Sequence, residues 1–213
     1  MIILRIDSSI RREGSVSREL TDAAQRAWLD TEPAAEVVGH DFGARPLPAE
    51  TGPLAAAAGS LPRHRRTPAM RAARATATRL ADEALAAGAM VIGAPMYNFG
   101  IPAALKSWID VLITDPRFDP RHTPVGSALR GVPVALLVAC GGGYGPGTPR
   151  AGWDHATPYL RRIFADVFGA ALTVVVAELT ALPDPALRSL AERSRAAALD
   201  RAGRVADRTG GGR

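Results

Sequence analysis

Met90-Val91-Ile92-Gly93-Ala94-Pro95-Met96-Tyr97-Asn98-Phe99-Gly100-Ile101-Pro102 runs directly into Ala103-Ala104-Leu105-Lys106-Ser107-Trp108-Ile109-Asp110-Val111-Leu112-Ile113-Thr114. The opening residues form a short apolar run without period-2 alternation, as in a strand covered on both faces. Pro95 and Pro102 bracket a loop, and residues 102–114 then take helical spacing. Strand, loop and helix in that order make half of a parallel crossover unit. The same alternation fills the rest of the chain. Apolar runs lie within residues 2–6, 36–41, 90–94, 132–139 and 172–177, and helical stretches span residues 16–29, 68–87, 102–114, 153–168 and 185–206. This pattern predicts an α/β fold, a doubly wound five-stranded parallel sheet. The strand order 2-1-3-4-5 is preferred, although other doubly wound orders fit the same alternation. Residues 45–66, rich in proline, glycine and alanine, read as a long irregular connection. Residues 208–213 (Arg-Thr-Gly-Gly-Gly-Arg) read as a disordered tail after a single domain of residues 1–207.

Composition narrows the function classes. Of the 213 residues 47% are apolar but only 5% aromatic, so the core is expected to be mostly aliphatic. The net charge of +5 is spread along the chain rather than gathered in a basic arm with interleaved aromatics, which argues against nucleic-acid binding. A lone cysteine, Cys140, excludes an internal disulfide and offers no metal-ligand spacing, so no metal site is expected. No apolar run approaches the roughly 20 residues needed to span a membrane. The start, Met1-Ile2-Ile3-Leu4-Arg5-Ile6-Asp7, reads at once as a buried strand and lacks the features of a signal peptide. A soluble, cytoplasmic protein is the expectation.

In a doubly wound sheet, ligands bind beyond the carboxyl ends of the strands, near the switch in strand order. Loops of unusual composition follow the first, third and fourth strands. The first, Asp7-Ser8-Ser9-Ile10-Arg11-Arg12-Glu13-Gly14-Ser15-Val16-Ser17, leads into a helix. Ser9, Ser15 and Ser17 offer hydroxyls there, and the helix start offers unpaired N–H groups, which together make a phosphate cradle. The alternative is that Ser15 or Ser17 is merely an N-cap. The second loop places Met96, Tyr97, Asn98 and Phe99 directly after a buried strand. Flat and soft apolar contacts with amide hydrogen bonds suit the edge and face of an isoalloxazine ring. Gly100 to Lys106-Ser107 imitates the spacing of a P-loop, but Leu105 replaces the second glycine and excludes an NTPase. The third loop, Ala139-Cys140-Gly141-Gly142-Gly143-Tyr144-Gly145, allows close approach of backbone to a planar ligand. It is out of register with the dinucleotide fingerprint.

The helix of residues 102–114 carries its polar side chains, Lys106, Ser107, Asp110 and Thr114, on one narrow stripe. Its apolar girth exceeds what one sheet face requires. A second surface is therefore expected against it, most simply a symmetry-related subunit, the alternative being the chain's own residues 45–66. Arg63, Arg65 and Arg66, flanking His64, form the densest basic cluster and a candidate reader of the extra phosphate of NADPH.

Ala94-Pro95-Met96-Tyr97-Asn98-Phe99, followed by an apolar helix containing Leu105-Lys106, closely resembles the signature of the FMN-dependent NADH-azoreductases, which also act as NAD(P)H quinone reductases. The resemblance takes in Ser15-x-Ser17, the glycine loop after the fourth strand, and Asp154-x-x-Thr157-Pro158-Tyr159-Leu160. It implies a flavodoxin-like fold and a homodimer with one FMN at each of two sites across the interface. Ser9, Ser15, Val16 and Ser17 would hold the FMN phosphate. Pro95, Met96, Tyr97, Asn98 and Phe99 would hold the ring, and Cys140, Gly141, Gly142 and Gly143 would line its other end. Cys140-Gly141 stand where the family commonly has Ser-Arg, so a hydroxyl and a guanidinium are missing. The implied reaction is a ping-pong hydride transfer from NADH or NADPH to a small aromatic acceptor, a quinone or an azo compound. No catalytic acid or base is nominated; His122 and His155 read as solvated or structural. An electron-transfer flavoprotein of flavodoxin type, or a flavin-free binding protein on the same fold, are the alternatives.

Overall fold

The computed structural model describes residues 1–181 and 188–207. Its elements are β1 (Ile2–Asp7), α1 (Val16–Thr31), β2 (Glu36–Asp41), α2 (Thr51–Ser60), α3 (Pro68–Ala86), β3 (Ala89–Pro95), α4 (Ala103–Ile113), β4 (Pro133–Ala139), α5 (Ala156–Arg161), β5 (Ala171–Ala177) and α6 (Arg188–Ala202). The five strands are parallel and ordered β2-β1-β3-β4-β5. α5 runs on through Arg162–Val167 as a π-helical stretch. The expected helix start at Pro185 and the tail 208–213 lie outside the described residues.

Alternation along the strands divides the core in two. Leu4, Ile6, Met90, Ile92, Leu136 and Val138 face α3, α4 and α5, whereas Ile3, Val91, Ala135 and Leu137 face α1 and α6. Every residue of β3 is buried, which fits a run read from sequence as covered on both faces. The helices add the matching apolar stripes. α3 starts where Thr67 accepts from the Met70 N–H at 3.2 Å and Pro68 takes the first position, where no N–H is needed.

The few aromatics are not scattered. Phe42, Trp108, Phe164, Phe168 and Phe118 form a chain of ring contacts at 6.2, 6.2, 5.7 and 5.1 Å between successive centroids. All five belong to the core under α3, α4 and α5. The opposite core is aliphatic and alanine-rich, with Trp28 its one aromatic among the described residues.

Residues 45–66 correct the expectation of an irregular connection. Their centre, Thr51–Ser60, is a helix. The alanine tract favours it, and Pro53 falls in the first turn, where a missing N–H breaks no bond. α2 packs on α3 and α4, with Gly52 against Val111. The chain's own helix therefore covers the apolar girth of α4: Leu105, Trp108, Ile109, Val111 and Leu112 are all fully buried within the one chain. On this surface the alternative weighed above, cover by residues 45–66, is the arrangement found. Trp108→Ala should accordingly cost about 3–5 kcal/mol of stability, read as a lowered midpoint in urea unfolding. A loss of under about 1 kcal/mol would place Trp108 outside the core.

Candidate functional site

The carboxyl ends of β1, β3, β4 and β5 are brought level by strand register, with Asp7 beside Gly93, Pro95 beside Ala139 and Ala139 beside Ala177. Their following loops meet at one edge, where the order switches between β1 and β3. Ser8 Oγ donates to the Gly93 carbonyl at 2.6 Å and ties the first loop to β3. Behind it, Gly43 passes so close that a Cβ would lie 2.0 Å from the Ser9 carbonyl oxygen. Only glycine permits that approach.

Ser15 is the N-cap residue of α1, yet its side chain makes no capping bond. Its hydroxyl instead donates to Ser9 Oγ at 2.9 Å and lies 3.3 Å from Ser17 Oγ. Ser9 Oγ in turn lies 3.4 Å from the Tyr97 hydroxyl, which accepts from the Ile10 N–H at 3.1 Å. Ser9, Ser15 and Ser17 are all buried. Among the described residues the N–H groups of Val16, Ser17 and Arg18 find no acceptor, so the positive end of α1 remains open beside these hydroxyls.

Arg18 fastens this loop from the side. Its guanidinium donates to both Asp41 oxygens at 2.9 and 2.7 Å, to the Ser9 carbonyl at 2.7 Å and to the Arg11 carbonyl at 3.0 Å. Burial opposes the Asp41 charge, but the Arg18 hydrogen bond and the Ala44 N–H outweigh it and hold the carboxyl below its usual range. One neutralised pair thus joins α1, β2 and the first loop.

The second loop is a tight turn. Tyr97 and Gly100 exchange backbone hydrogen bonds, both at 3.0 Å, across Asn98 and Phe99, whose φ values are 48° and 69°. A bulky residue in the left-handed region costs about 1–3 kcal/mol and persists only where its surroundings hold it. The His155 N–H donates to the Phe99 carbonyl at 2.9 Å, and the Phe99 ring meets Trp153 and Tyr144 edge-on at 5.5 and 6.2 Å. The strain aims Tyr97 back at the serines while Phe99 turns outward.

The third loop is clasped by residues after β5. Thr180 donates its N–H and its hydroxyl to the Cys140 carbonyl at 3.0 and 3.1 Å, and the Ala181 N–H donates to Gly141 at 3.3 Å. Leu179, at φ 65°, makes the sharp bend that allows this.

These loops enclose a cavity of about 270 Å³. The first loop lines it with Ser9, Ser15, Val16 and Ser17; Pro95, Met96, Tyr97 and Gly141 come from the second and third. Asn98, Phe99, Cys140, Gly142 and Gly143, named with them from sequence, do not line it. Sequence reasoning missed Arg11 and Gly14 within the first loop and Thr180 and Ala181 from a fourth. The signal for the last two was available: they directly follow β5, at the same sheet edge. Arg66 of the basic cluster lies elsewhere, in a groove of about 750 Å³ beside α2 and the end of α4 that shares no residue with this cavity. No histidine lines the cavity, and no metal-holding group of His, Cys, Asp and Glu occurs among the described residues.

Residues 1–201 match the family described as having a flavodoxin-like fold. A protein of Nocardia farcinica named FMN-dependent NADH:quinone oxidoreductase is 41% identical over 221 residues, covering 95% of this chain and 96% of its own. One of the same name from Streptomyces avermitilis is 37% identical over 92% of this chain and 91% of its own. The chain belongs to this family. Among solved structures of flavodoxin-like fold, an azoreductase of Bacillus anthracis superposes with a TM-score of 0.78 at 28% identity, covering 98% of this chain and 99% of its own. The resemblance read from the Pro-Met-Tyr-Asn-Phe string and the strand order expected with it both hold.

Cys140 is 1% exposed. Burial, with smaller contributions from Asp154 and Glu178, pushes its thiol up to about 12. The thiolate is the reactive form, so this sulfur is inert at neutral pH. Iodoacetamide at pH 8 should leave the native protein unmodified by intact mass and add one group after urea denaturation. Modification of the native protein on the timescale of free cysteine would refute the burial.

Proposed function

We propose that this chain is an FMN-dependent oxidoreductase that passes electrons from NADH or NADPH to a quinone or azo acceptor, with residues 1–207 acting as one flavin-binding unit. The observation that carries this reading is the trio of buried serine hydroxyls on a helix start whose N-cap side chain caps nothing. Hydroxyls and free N–H groups are the donor set a phosphate requires, and here the hydroxyls bond to one another and within the site loops rather than capping the helix. The opposite wall suits a flat ring. Met96 and Tyr97 offer soft and planar surface, and a Cβ at Gly141 would already crowd Ala181 at 3.2 Å.

In this assignment Ser9, Ser15, Ser17 and the Val16 N–H hold the phosphate. Pro95, Met96 and Tyr97 lie along the ring, Asn98 and Phe99 shape the turn that presents them, and Cys140 to Gly143 bound the far end. FMN, when bound, supplies the hydride acceptance and return that link donor to acceptor, in ping-pong order. The protein's contribution is to position and to shape. No histidine reaches the cavity and Cys140 is held neutral, so no side chain is assigned a proton.

The cavity of about 270 Å³ is small beside the roughly 300–1,000 Å³ of sites that enclose a ligand of this class. A ring seated here stays open on one side, as exchange of donor and acceptor demands. Ile10, Phe99 and Trp153, all exposed large apolar residues, occur in or beside the site loops, and a second copy of the chain covering them is the form in which we read the homodimer. A cytoplasmic location belongs to the same reading; no helix of the described residues is long and apolar enough to cross a membrane.

Purified protein should be yellow, should oxidise NADH or NADPH only when a quinone or azo dye is present, and should carry its visible absorbance at the dimer mass in sedimentation. Flavin on a monomer that turns over quinone would remove the dimer from the proposal, and a colourless protein that ignores added FMN would remove the activity. Changing both Ser15 and Ser17 to Ala should weaken FMN by about 1–3 kcal/mol in a fluorescence titration, since bonds to a charged acceptor are lost. Unaltered affinity would take the first loop out of the site.

A further inference from the structure

We infer that Arg11 is the counter-cation of the bound phosphate and so the residue that makes this site select a phosphorylated flavin over riboflavin. The inference rests on the FMN reading above and assigns a role to a residue that the motif does not mark.

Charge balance at the cradle is the starting point. A phosphate monoester carries between one and two negative charges near neutral pH. Serine hydroxyls and backbone N–H groups meet it only as dipoles. Any formal positive charge comes from a side chain, and the arginines of the flanking strand and helix, Arg5 and Arg18, are already committed. Arg5 pairs with Asp7 at 2.7 Å, and Arg18 pairs with Asp41 at 2.7 Å. Both pairs are neutral overall and both carboxylates would repel an incoming anion if their arginines were drawn away.

Arg11 is placed differently. It lines the cavity, whereas its neighbours Arg12 and Glu13 do not. Its backbone is fixed on both sides of the residue: its N–H donates to Ser9 Oγ at 3.2 Å and its carbonyl accepts from Arg18 Nε at 3.0 Å. The side chain is exposed, and its guanidinium has no hydrogen bond or ion pair within the described chain. A cation anchored at its backbone beside three hydroxyls, with its charge unspent, has the reach and planar donor geometry that phosphate recognition uses. It also sits at the mouth, where it can steer an anion inward before the buried donors engage.

The test titrates the full-length protein, stripped of flavin, with FMN and with riboflavin by flavin fluorescence at low and at high salt. Wild type should prefer FMN, and the preference should shrink as salt rises. Arg11→Ala should weaken FMN about tenfold or more at low salt, leave riboflavin within about twofold, and flatten the salt dependence. Arg11→Lys should recover part of the loss, and Arg12→Ala should match wild type. If Arg11→Ala binds FMN as wild type does, or if FMN and riboflavin weaken together, the inference is overturned. In the second case Arg11 acts only by holding the loop. If wild type itself fails to distinguish FMN from riboflavin, the phosphate cradle beneath the inference has failed instead.

Discussion

Every residue of β3 is buried, with helices on both sides of the sheet, and this constraint governs where chemistry can stand in the molecule. A buried polar group is costly unless it is bonded, so the interior strands β3 and β4 carry no polar side chain. Polar side chains are displaced to the strand ends, and parallel register gathers four such ends at one edge. Ser8 illustrates the rule. Its hydroxyl is buried, and it is spent at once on the Gly93 carbonyl. Just beyond lie Ser9, Ser15 and Ser17, whose hydroxyls bond to one another and to the loop's own backbone rather than to the strands.

That place is kept rigid by contacts that carry no chemistry of their own. Gly43 lets the turn after β2 press on the Ser9 backbone, and the Arg18–Asp41 pair pins the same segment from α1. On the other wall, two successive left-handed residues aim Tyr97 at the serines, and a third, Leu179, folds Thr180 onto the glycine loop. Strained backbone of this kind concentrates where surrounding structure over-determines it. Here the supports are identifiable: the His155 N–H and the rings of Trp153 and Tyr144 hold Phe99, and the Cys140 and Gly142 carbonyls hold the turn at Leu179.

The helix α4 shows why a surface inferred from one element needs the rest of the chain. Its broad apolar face called for a second partner, and either another subunit or residues 45–66 could have supplied it. α2 supplies it, since an alanine tract with proline in its first turn folds as a helix and small side chains let it lie close against Val111. Of the exposed large apolar residues, Ile10, Phe99 and Trp153 occur in or beside the site loops. Proline and glycine content alone could not distinguish a loop from a helix that tolerates both near its start.

By itself the sequence determined the layers and the loops that matter, while the order 2-1-3-4-5, preferred from sequence among several, was fixed by the strand pairing. Buried strands and crossover helices differ in period, and a parallel sheet leaves only one edge for its ligand loops. It also revealed the family, through the string Pro95-Met96-Tyr97-Asn98-Phe99 in the loop after the third strand. Only the tertiary structure decided which members of those loops face the cavity. Tyr97 does and Phe99 does not, because consecutive positive φ values reverse the chain between them. Only the folded chain, likewise, could show that the Ser15 side chain makes no capping bond, that Arg18 is already paired, and that the Arg11 side chain has no partner among the described residues. Hydrogen-bond partners are set by distances between segments far apart in sequence, and no local pattern encodes them.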